Sequence, residues 1–352
     1  MLQSHRMRWG GDLRRIHLFR ALARRTDATV LDGWGRRALR REFGLLRILP
    51  TPIHHFRPRP MPRLASSEMI HSRYLRMARR VLDPAVVAVY DDAVAQTASL
   101  GMTMSPDQRA LFTSRRDDNL AAFRWHAVPT ASFAEMMGLD PATTLVAGNG
   151  TNTAHIRPGP WPERPAIGMV SGAAPGRGME TLIAAARALR AQLPDLQLLL
   201  WLVPTGPESQ DYLEGLRAAT AEEGWIRIDT VDYERIGDSL AQATVLTVPH
   251  PPDDYMDVAL PVKLFDSMAA GRPLVVTPRT ETRAVVERHG AGVVTAGDTT
   301  DDLAGALLGV LEDQAAARRM GAAARLAAER YYDWSVVGER IADLVIEREG
   351  GR

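Results

Sequence analysis

The chain has 352 residues, of which 45% are hydrophobic, so it is long enough to form two folded domains. It has no cysteine, which excludes disulfides, thiolate metal sites and a cysteine nucleophile and is compatible with a reducing cytoplasm. No run of about 18 apolar residues is present. No apolar segment follows the arginine-rich N-terminus either, so we expect neither a membrane span nor a secretory signal.

The net charge of +1 conceals a strong asymmetry along the chain. Residues 1–67 contain 15 arginines and 4 acidic residues, a surplus of +11, so the remainder carries −10. This asymmetry favours an anionic partner, either an anionic acceptor or peripheral contact with the inner face of a membrane, although a solvated helix face fits it equally well. No nucleic-acid-binding module accompanies the arginines, so we expect no nucleic-acid partner.

The N-terminal part predicts a loop, a helix and a strand. Gly10 and Gly11 form a glycine-rich loop before an amphipathic helix over 13–23, and the segment 28–31 is typical of a strand. This is half of a mononucleotide-binding unit, although two glycines also suit a plain helix-entry turn. Residues 48–67 hold five prolines and no regular pattern, which predicts a long surface loop.

Two aspartates follow a predicted buried strand in the middle of this half. The strand covers 86–90, and Asp91 and Asp92 stand at its carboxyl end, where open α/β sheets place ligands. They could face an acceptor hydroxyl, or they could cap the next helix. The pattern then predicts a helix that ends near residue 123, a strand over 126–130, a short helix over 132–137 and a strand over 145–147.

A proline-rich linker over 158–165 separates this part from a second α/β alternation. A strand over 167–170 leads to a glycine-rich loop that contains Gly172 and Arg177 and opens a helix over 179–193. A strand, a glycine-rich loop and a helix start with a cation describe a phosphate cradle. The further pattern predicts strands over 196–203, 225–228, 244–249, 274–277 and 291–294, and helices over 209–223, 233–243, 300–311, 314–331 and 336–347.

One lysine stands out among the 43 basic residues, because Lys263 is the only lysine and the other 42 are arginines. It lies in the first turn of a helix predicted to begin near Pro261 and to end at Gly271. The free N–H groups and the dipole of a helix N-terminus already favour an anion, so a cation there predicts a phosphate site. The alternative is a surface lysine that survived an arginine-biased composition.

The β–α alternation on both sides of the linker predicts an α/β protein with two doubly wound, Rossmann-like domains that face a cleft. The expected domains are residues 1–157, which bind the acceptor, and residues 158–332, which bind the donor. Residues 333–352 form a terminal helix that we expect to pack back on the first domain. In this arrangement Arg177 and Lys263, each at a helix start, would converge on one polyphosphate.

Several motifs, in this order and spacing, resemble the retaining glycosyltransferases with the GT-B fold, in particular family 4, or glycosyltransferase group 1. Asn149 and Gly150 look like the Asn-Gly-Val-Asp turn of that family. The segment 172–182 looks like its Gly-…-Lys-Gly segment, with Arg177 where lysine is usual. Residues 261–273 are close to its Pro-x-Lys-Leu-x-Glu-x-Met-Ala-x-Gly-x-Pro block. Trp334 looks like the entry to the family's terminal helix.

The resemblance implies transfer of a sugar from a nucleoside-diphosphate sugar to a hydroxyl of an acceptor sugar, lipid-linked or small-molecule acceptor. It implies that Arg177 and Lys263 hold the diphosphate as the catalytic cations, that Asp266 accepts from ribose hydroxyls and that the backbone near Val231 meets the base. Gly172, Pro261, Val262 and Leu264 complete the implied donor site. No D-x-D triplet occurs, so we expect no metal and no further cofactor.

Three family residues are missing from this sequence. Ser171 and Gly172 stand where an arginine precedes the lysine-glycine element, and Val258 stands where an acidic residue contacts the donor sugar, a role that Asp254 or Asp257 could take over. No histidine lies between Asp92 and Trp125; His126 is interpreted as structural, and His5 is a weaker candidate. A non-catalytic scaffold or partner subunit and a nucleotide-sugar epimerase therefore remain alternatives.

Overall fold

The structure is a computed structural model of the chain. It describes residues 104–122, 125–204 and 206–350, the strands at 64–66 and 87–89, and five helical positions between His17 and Arg25. The chain divides into two compact units, with the first comprising Met1–Ala98, Thr103–Gly148 and Trp334–Arg352. The second comprises Ser99–Met102 and Asn149–Asp333. The boundary predicted from the sequence, between residues 157 and 158 at the start of the proline-rich segment, lies nine residues after the observed one between Gly148 and Asn149.

The described part of the first unit contains a parallel sheet with the strand order β1-β2-β3-β4. Its strands are β1 (Leu64–Ser66), β2 (Val87–Val89), β3 (Trp125–Val128) and β4 (Thr144–Val146). Its helices are α1 (Pro106–Ala122), α2 (Ala131–Met136) and the terminal helix, which is labelled α11 below (Trp334–Gly350). The sequence predicts a surface loop over residues 48–67. This prediction is wrong at Leu64–Ser66, which forms a strand that pairs in parallel with Val87–Val89.

The terminal helix α11 packs inside the first unit. Ile341 and Ala342 are fully buried and share a small core with Ala127 and Ala147 at the ends of β3 and β4. Trp334, which begins the helix, is 2% exposed, and its ring stacks on that of His17 at 5.3 Å. His126 on β3 is buried and burial lowers its pKa, in keeping with the predicted structural role.

The second unit is built on six described parallel strands in the order β10-β9-β8-β5-β6-β7. Counted from the first strand of the unit, this is the order 3-2-1-4-5-6 of the doubly wound dinucleotide-binding fold. The predicted strands are all found, each shifted by at most three residues at either end. They are β5 (Ala166–Gly172), β6 (Gln197–Val203), β7 (Ile226–Asp229), β8 (Val245–Val248), β9 (Leu274–Val276) and β10 (Gly292–Val294).

Helices cover both faces of this sheet. On each face, the apolar side chains of the strands and of the helices pack together into a core. Two helices, Asp254–Val258 and Thr280–His289, were not predicted, because the first has only five residues and the second buries a narrow face of Thr282, Val285 and Val286. The described helices are α3 (Met179–Arg190), α4 (Pro207–Ala219), α5 (Ile236–Leu240), α6 (Asp254–Val258), α7 (Val262–Ala269), α8 (Thr280–His289), α9 (Thr300–Glu312) and α10 (Gln314–Ala327).

The helix α7 is held at both ends. Pro261 caps its start in an extended conformation, and Gly271 adopts a φ of +68° just beyond its end, as the sequence predicts. At the same end, the guanidinium of Arg325 on α10 donates to the carbonyls of Ala269, Ile156 and Thr153 at 2.7 to 3.0 Å. Between the two ends, the side chains of Leu264, Phe265 and Met268 are fully buried, so the position of α7 in the second unit is fixed. No helix in the described ranges is long and apolar enough to cross a bilayer.

Candidate functional site

The strand order of the second unit places its ligand site. In a doubly wound sheet, successive strands are added outward from the first strand on one side and from the fourth strand on the other. Ligands bind outside the carboxyl ends of these two neighbouring strands, where the strand order reverses. Here they are β5 and β8, which pair in parallel through Ile167 and Val245. Residues 173–178 follow β5 and residues 249–253 follow β8, so these two loops, with the carboxyl end of β5, form the candidate site.

Lys263 lies in the first turn of α7 and reaches this site. Its ammonium donates a 3.1 Å hydrogen bond to the hydroxyl of Ser171 at the end of β5. The side chain is half-buried, and burial together with the nearby charge of Arg177 lowers the pKa of Lys263 well below its ordinary value. No side chain caps the start of α7, so within the described structure this helix end presents N–H groups beside the ammonium.

Arg177 lies in the loop between β5 and α3, next to Gly178. Gly178 has a φ of +79°, and its Cα approaches the carbonyl of Pro249 so closely that a Cβ atom would lie 1.7 Å from the oxygen. The glycine therefore holds the loop after β5 against the loop after β8. Burial lowers the pKa of Arg177, and its Nε is buried without a hydrogen-bond partner in the described part of the chain.

His250 follows β8 and was missed by the sequence analysis. It is 1% exposed, and neither ring nitrogen has a hydrogen-bond partner among the described residues. Burial lowers its pKa well below the ordinary value, and the charges of Lys263, Arg177 and Arg279 lower it further. The only sequence signal was its position in the turn Pro-His-Pro-Pro at the end of a predicted strand.

Arg279 differs from the other two cations because its charge is compensated. It is 5% exposed and forms a bidentate ion pair with Asp298 at 2.7 Å and a further contact with Asp257 at 3.2 Å. Asp257 is thus engaged by Arg279, whereas Asp254, the other acidic residue considered for the donor sugar, is exposed. Lys263 and Arg177 form no ion pair with a carboxylate in the described ranges, so the site carries an excess of positive charge.

Asp266, predicted to accept from ribose hydroxyls, is 5% exposed on α7. Its Oδ1 accepts a 2.7 Å hydrogen bond from the hydroxyl of Thr151. Burial raises the pKa of Asp266 to about 7, although the hydrogen bond from Thr151 opposes the shift. Burial also raises the pKa of the neighbouring Tyr233 well above its ordinary value, and the charge of Asp266 adds to this effect. One carboxylate oxygen is therefore already engaged within the protein, and the ribose role stays a prediction.

The raised pKa of Asp266 makes the protein less stable at higher pH. Between the unfolded value near 4 and the folded value of about 7, the folded state binds the proton more tightly, so stability falls as the pH rises through this window. We expect Asp266→Asn, which keeps an oxygen for Thr151, to be more stable than the parent protein at pH 8 but not at pH 4.5. Urea midpoints at both pH values test this, with the exposed Asp195→Asn as the control. A gain of equal size at both pH values would contradict it.

The remaining predicted donor residues are placed as follows. Gly172 ends β5, Pro261 caps α7 and Val231 lies half-buried after β7. The side chains of Val262 and Leu264 are buried, so they offer a ligand only their backbone. Sequence reasoning had also named four residues of the first domain, which lie outside the described residues: Gly10, Gly11, Asp91 and Asp92. Among the described residues, no cluster of three or more histidine and acidic side chains could hold a metal ion.

The part of the chain that holds the candidate site is similar to a known family of proteins. Residues 164–313 match the sequence profile of the family described as Glycosyl transferases group 1. A phosphatidyl-myo-inositol mannosyltransferase of Mycolicibacterium smegmatis is 33% identical over 170 residues, which cover 47% of this chain and 41% of that protein. A GDP-mannose-dependent alpha-(1-6)-phosphatidylinositol monomannoside mannosyltransferase of Mycobacterium tuberculosis is 26% identical over 70% of this chain and 66% of its own length. The matched part therefore spans less than two thirds of these relatives.

Solved structures agree on the fold. The chain is similar to HepE of Anabaena, solved with UDP and glucose, with a TM-score of 0.72 and 15% identity over 98% of each chain. It is also similar to sucrose-phosphate synthase of Thermosynechococcus elongatus, with a TM-score of 0.63 and 18% identity over 80% of this chain and 72% of that one. Both neighbours are GT-B glycosyltransferases, so the predicted GT-B fold is confirmed.

Proposed function

We propose that this chain, whose residues 164–313 belong to the glycosyl transferases group 1 family, is a retaining glycosyltransferase that moves a hexose from a nucleoside-diphosphate sugar to an acceptor hydroxyl. The observation that carries the proposal is the pair Arg177 and Lys263 at the carboxyl edge of β5 and β8, with no carboxylate paired to either in the described part of the chain. Buried charges need a counter-charge, and a diphosphate supplies two or more negative charges.

The proposed chemistry follows from where charge develops. Breaking the bond between the anomeric carbon and the diphosphate oxygen moves negative charge onto that oxygen. Cations fixed beside the oxygen stabilise the transition state more than the ground state, which accelerates the reaction. Arg177 and Lys263 take this role, and the backbone N–H groups at the start of α7 add to the same positive field.

The proposed route needs no protein nucleophile. The acceptor hydroxyl attacks the anomeric carbon from the face that the diphosphate leaves, and its proton passes to the departing phosphate oxygen, so the anomeric configuration is retained. Two side-chain cations supply the positive charge that a divalent metal gives in other sugar transferases. We therefore expect no requirement for a metal.

The first donor and acceptor to test come from the relatives. Two of them are named as GDP-mannose-dependent enzymes that act on phosphatidylinositol monomannosides, and the fold neighbour HepE was solved with UDP. We propose GDP-mannose as donor and a phosphatidylinositol glycolipid as acceptor. The arginine surplus of residues 1–67 would favour such an anionic acceptor or the membrane that holds it.

A donor panel tests this proposal. The purified chain is incubated with GDP-mannose, UDP-glucose, ADP-glucose and dTDP-glucose, with and without vesicles that contain phosphatidylinositol, in buffer with a metal chelator. We expect slow release of nucleoside diphosphate from one donor alone and faster release with the acceptor. The anomeric configuration of the product is read by proton NMR. An inverted product would overturn the retaining route, and a chain that binds no nucleoside diphosphate and turns over no donor would be a scaffold rather than an enzyme.

A further inference from the structure

The imidazole of His250 is unusual among the described side chains of the second unit. It is 1% exposed, and both ring nitrogens lack a hydrogen-bond partner within the described structure. Buried polar groups are normally hydrogen-bonded, because leaving one without a partner costs about 1–3 kcal/mol. Its backbone is fixed, since the carbonyl of His250 accepts a 2.6 Å hydrogen bond from the hydroxyl of Thr277 after β9.

The surroundings of this imidazole specify the kind of ligand it would take. Lys263 comes from α7, Arg177 from the loop after β5 and Arg279 from the loop after β9, and all three act on His250 as positive charges. Two acidic groups, Asp257 and Asp298, lie nearby, and both are paired with Arg279. They neutralise the charge of Arg279 and not the charges of Lys263 and Arg177. A ring that lies among cations and donates an N–H is suited to an anion and unsuited to a metal ion.

We propose that His250 is a third ligand of the diphosphate, donating a ring N–H to a phosphate oxygen when the anion draws Lys263 and Arg177 towards it. This inference rests on the proposed function and adds a residue to its donor site. Lys263 and Arg177 have long, half-buried side chains, so they can turn towards the ligand without a change in the backbone. His250 is anchored beside Pro249 and Gly178 and remains in place.

The proposal has a signature in proton linkage. Without a ligand, burial and the charges of the three cations keep the pKa of His250 well below its ordinary value, so the imidazolium is disfavoured. A bound diphosphate offsets those charges and favours the imidazolium, so binding is accompanied by proton uptake below about pH 6.5. Lys263 and the phosphate itself also titrate. The contribution of His250 is therefore the difference between the parent protein and a variant that cannot be protonated there.

Two substitutions separate hydrogen bonding from protonation. His250→Gln keeps an N–H donor but does not titrate, and His250→Leu removes both properties. Calorimetry with GDP, UDP and pyrophosphate, at pH 6 and pH 8 in buffers of different ionisation enthalpy, gives the affinity and the number of protons taken up. We expect the Leu variant to bind about 10-fold or more weakly, and the Gln variant to keep most of the affinity but to take up fewer protons at pH 6. His289→Gln, whose ring is bonded to the hydroxyl of Tyr332, is the matched control and should change neither quantity.

The outcomes distinguish this inference from the proposed function. If the parent protein transfers a sugar but the His250 variants bind and take up protons as it does, only the inference about His250 is wrong. If anion affinity and proton uptake depend on His250 but no donor is turned over, the proposed transfer activity is wrong and the proposed ligand role of His250 stands. Failure of the parent protein to bind any of the three anions would overturn both. Thermal melts check folding, and the Leu variant should melt no lower than the parent, because it removes an unpartnered buried polar group.

Discussion

Lys263→Met is expected to lower the rate of sugar transfer by about 10²–10³-fold, the usual effect of removing one group that stabilises charge in a transition state. The same substitution should leave the free protein as stable as before or make it more stable. Burial and the charge of Arg177 already disfavour the ammonium, and its described hydrogen bond is the one to Ser171. Replacing this half-buried charge, which has no carboxylate partner among the described residues, with an apolar side chain of similar length removes that penalty.

Single-turnover rates with the donor that the panel identifies, together with urea midpoints, give both quantities on the same samples. The control is Arg283→Met on α8, which removes an exposed cation paired with Glu287 and should change neither. Lys263→Arg keeps the positive charge but replaces a compact ammonium with a planar guanidinium. Because the two groups are not interchangeable at a helix start, we expect this variant to be slow as well. Turnover of Lys263→Met at the parental rate would show that the ammonium does not contact the leaving group.

Gly178→Ala is expected to destabilise the protein on the order of 4 kcal/mol or more, the range reached only by severe structural conflict. The new Cβ atom would lie 1.7 Å from the carbonyl oxygen of Pro249, and the residue has a φ of +79°. The loop after β5 and the loop after β8 would have to separate, which would also displace Arg177 from His250. We therefore expect loss of nucleoside-diphosphate binding in any fraction that still folds.

Gly290→Ala is the matched control. Gly290 ends α8 in the same left-handed region, with a φ of +57°, but outside its own helix and chain neighbours no atom of the described residues lies within 4 Å of the position that its Cβ would occupy. Its cost should be only the backbone term of about 1–2 kcal/mol. Chemical denaturation of the two variants then isolates the contact with Pro249. Equal losses of stability in both would mean that the close approach of the two loops is not a property of the protein.

The second unit was largely predictable because its buried strands and helices repeat local patterns. The strand that ends at Gly172 is a short apolar run, and the helix around Lys263 has apolar residues at helical spacing. Turn residues such as Gly271 mark where these elements end. The strand order was not predictable from these patterns, since it depends on which strands pair across the sheet. The order matters for function, because it brings the loops after β5 and β8 together.

The parts of the site that sequence reasoning missed depend on contacts between distant residues. Asp266 was assigned to the ligand by its place in a motif, but the Thr151 hydroxyl that binds it lies 115 positions away in the sequence. His250 was passed over because a histidine in a proline-rich turn has no local pattern that points to a ligand. Its significance comes from three cations on three separate segments of the chain. Neither relation can be read from spacing alone.

The solitary lysine also makes the site unusually easy to observe. Biosynthetic incorporation of isotope-labelled lysine would place the label at position 263 and nowhere else in this sequence. A spectrum of the whole protein would then contain one side-chain amine resonance, assigned without mutagenesis. Its titration would report directly on the electrostatic field that the neighbouring guanidinium and any bound anion create.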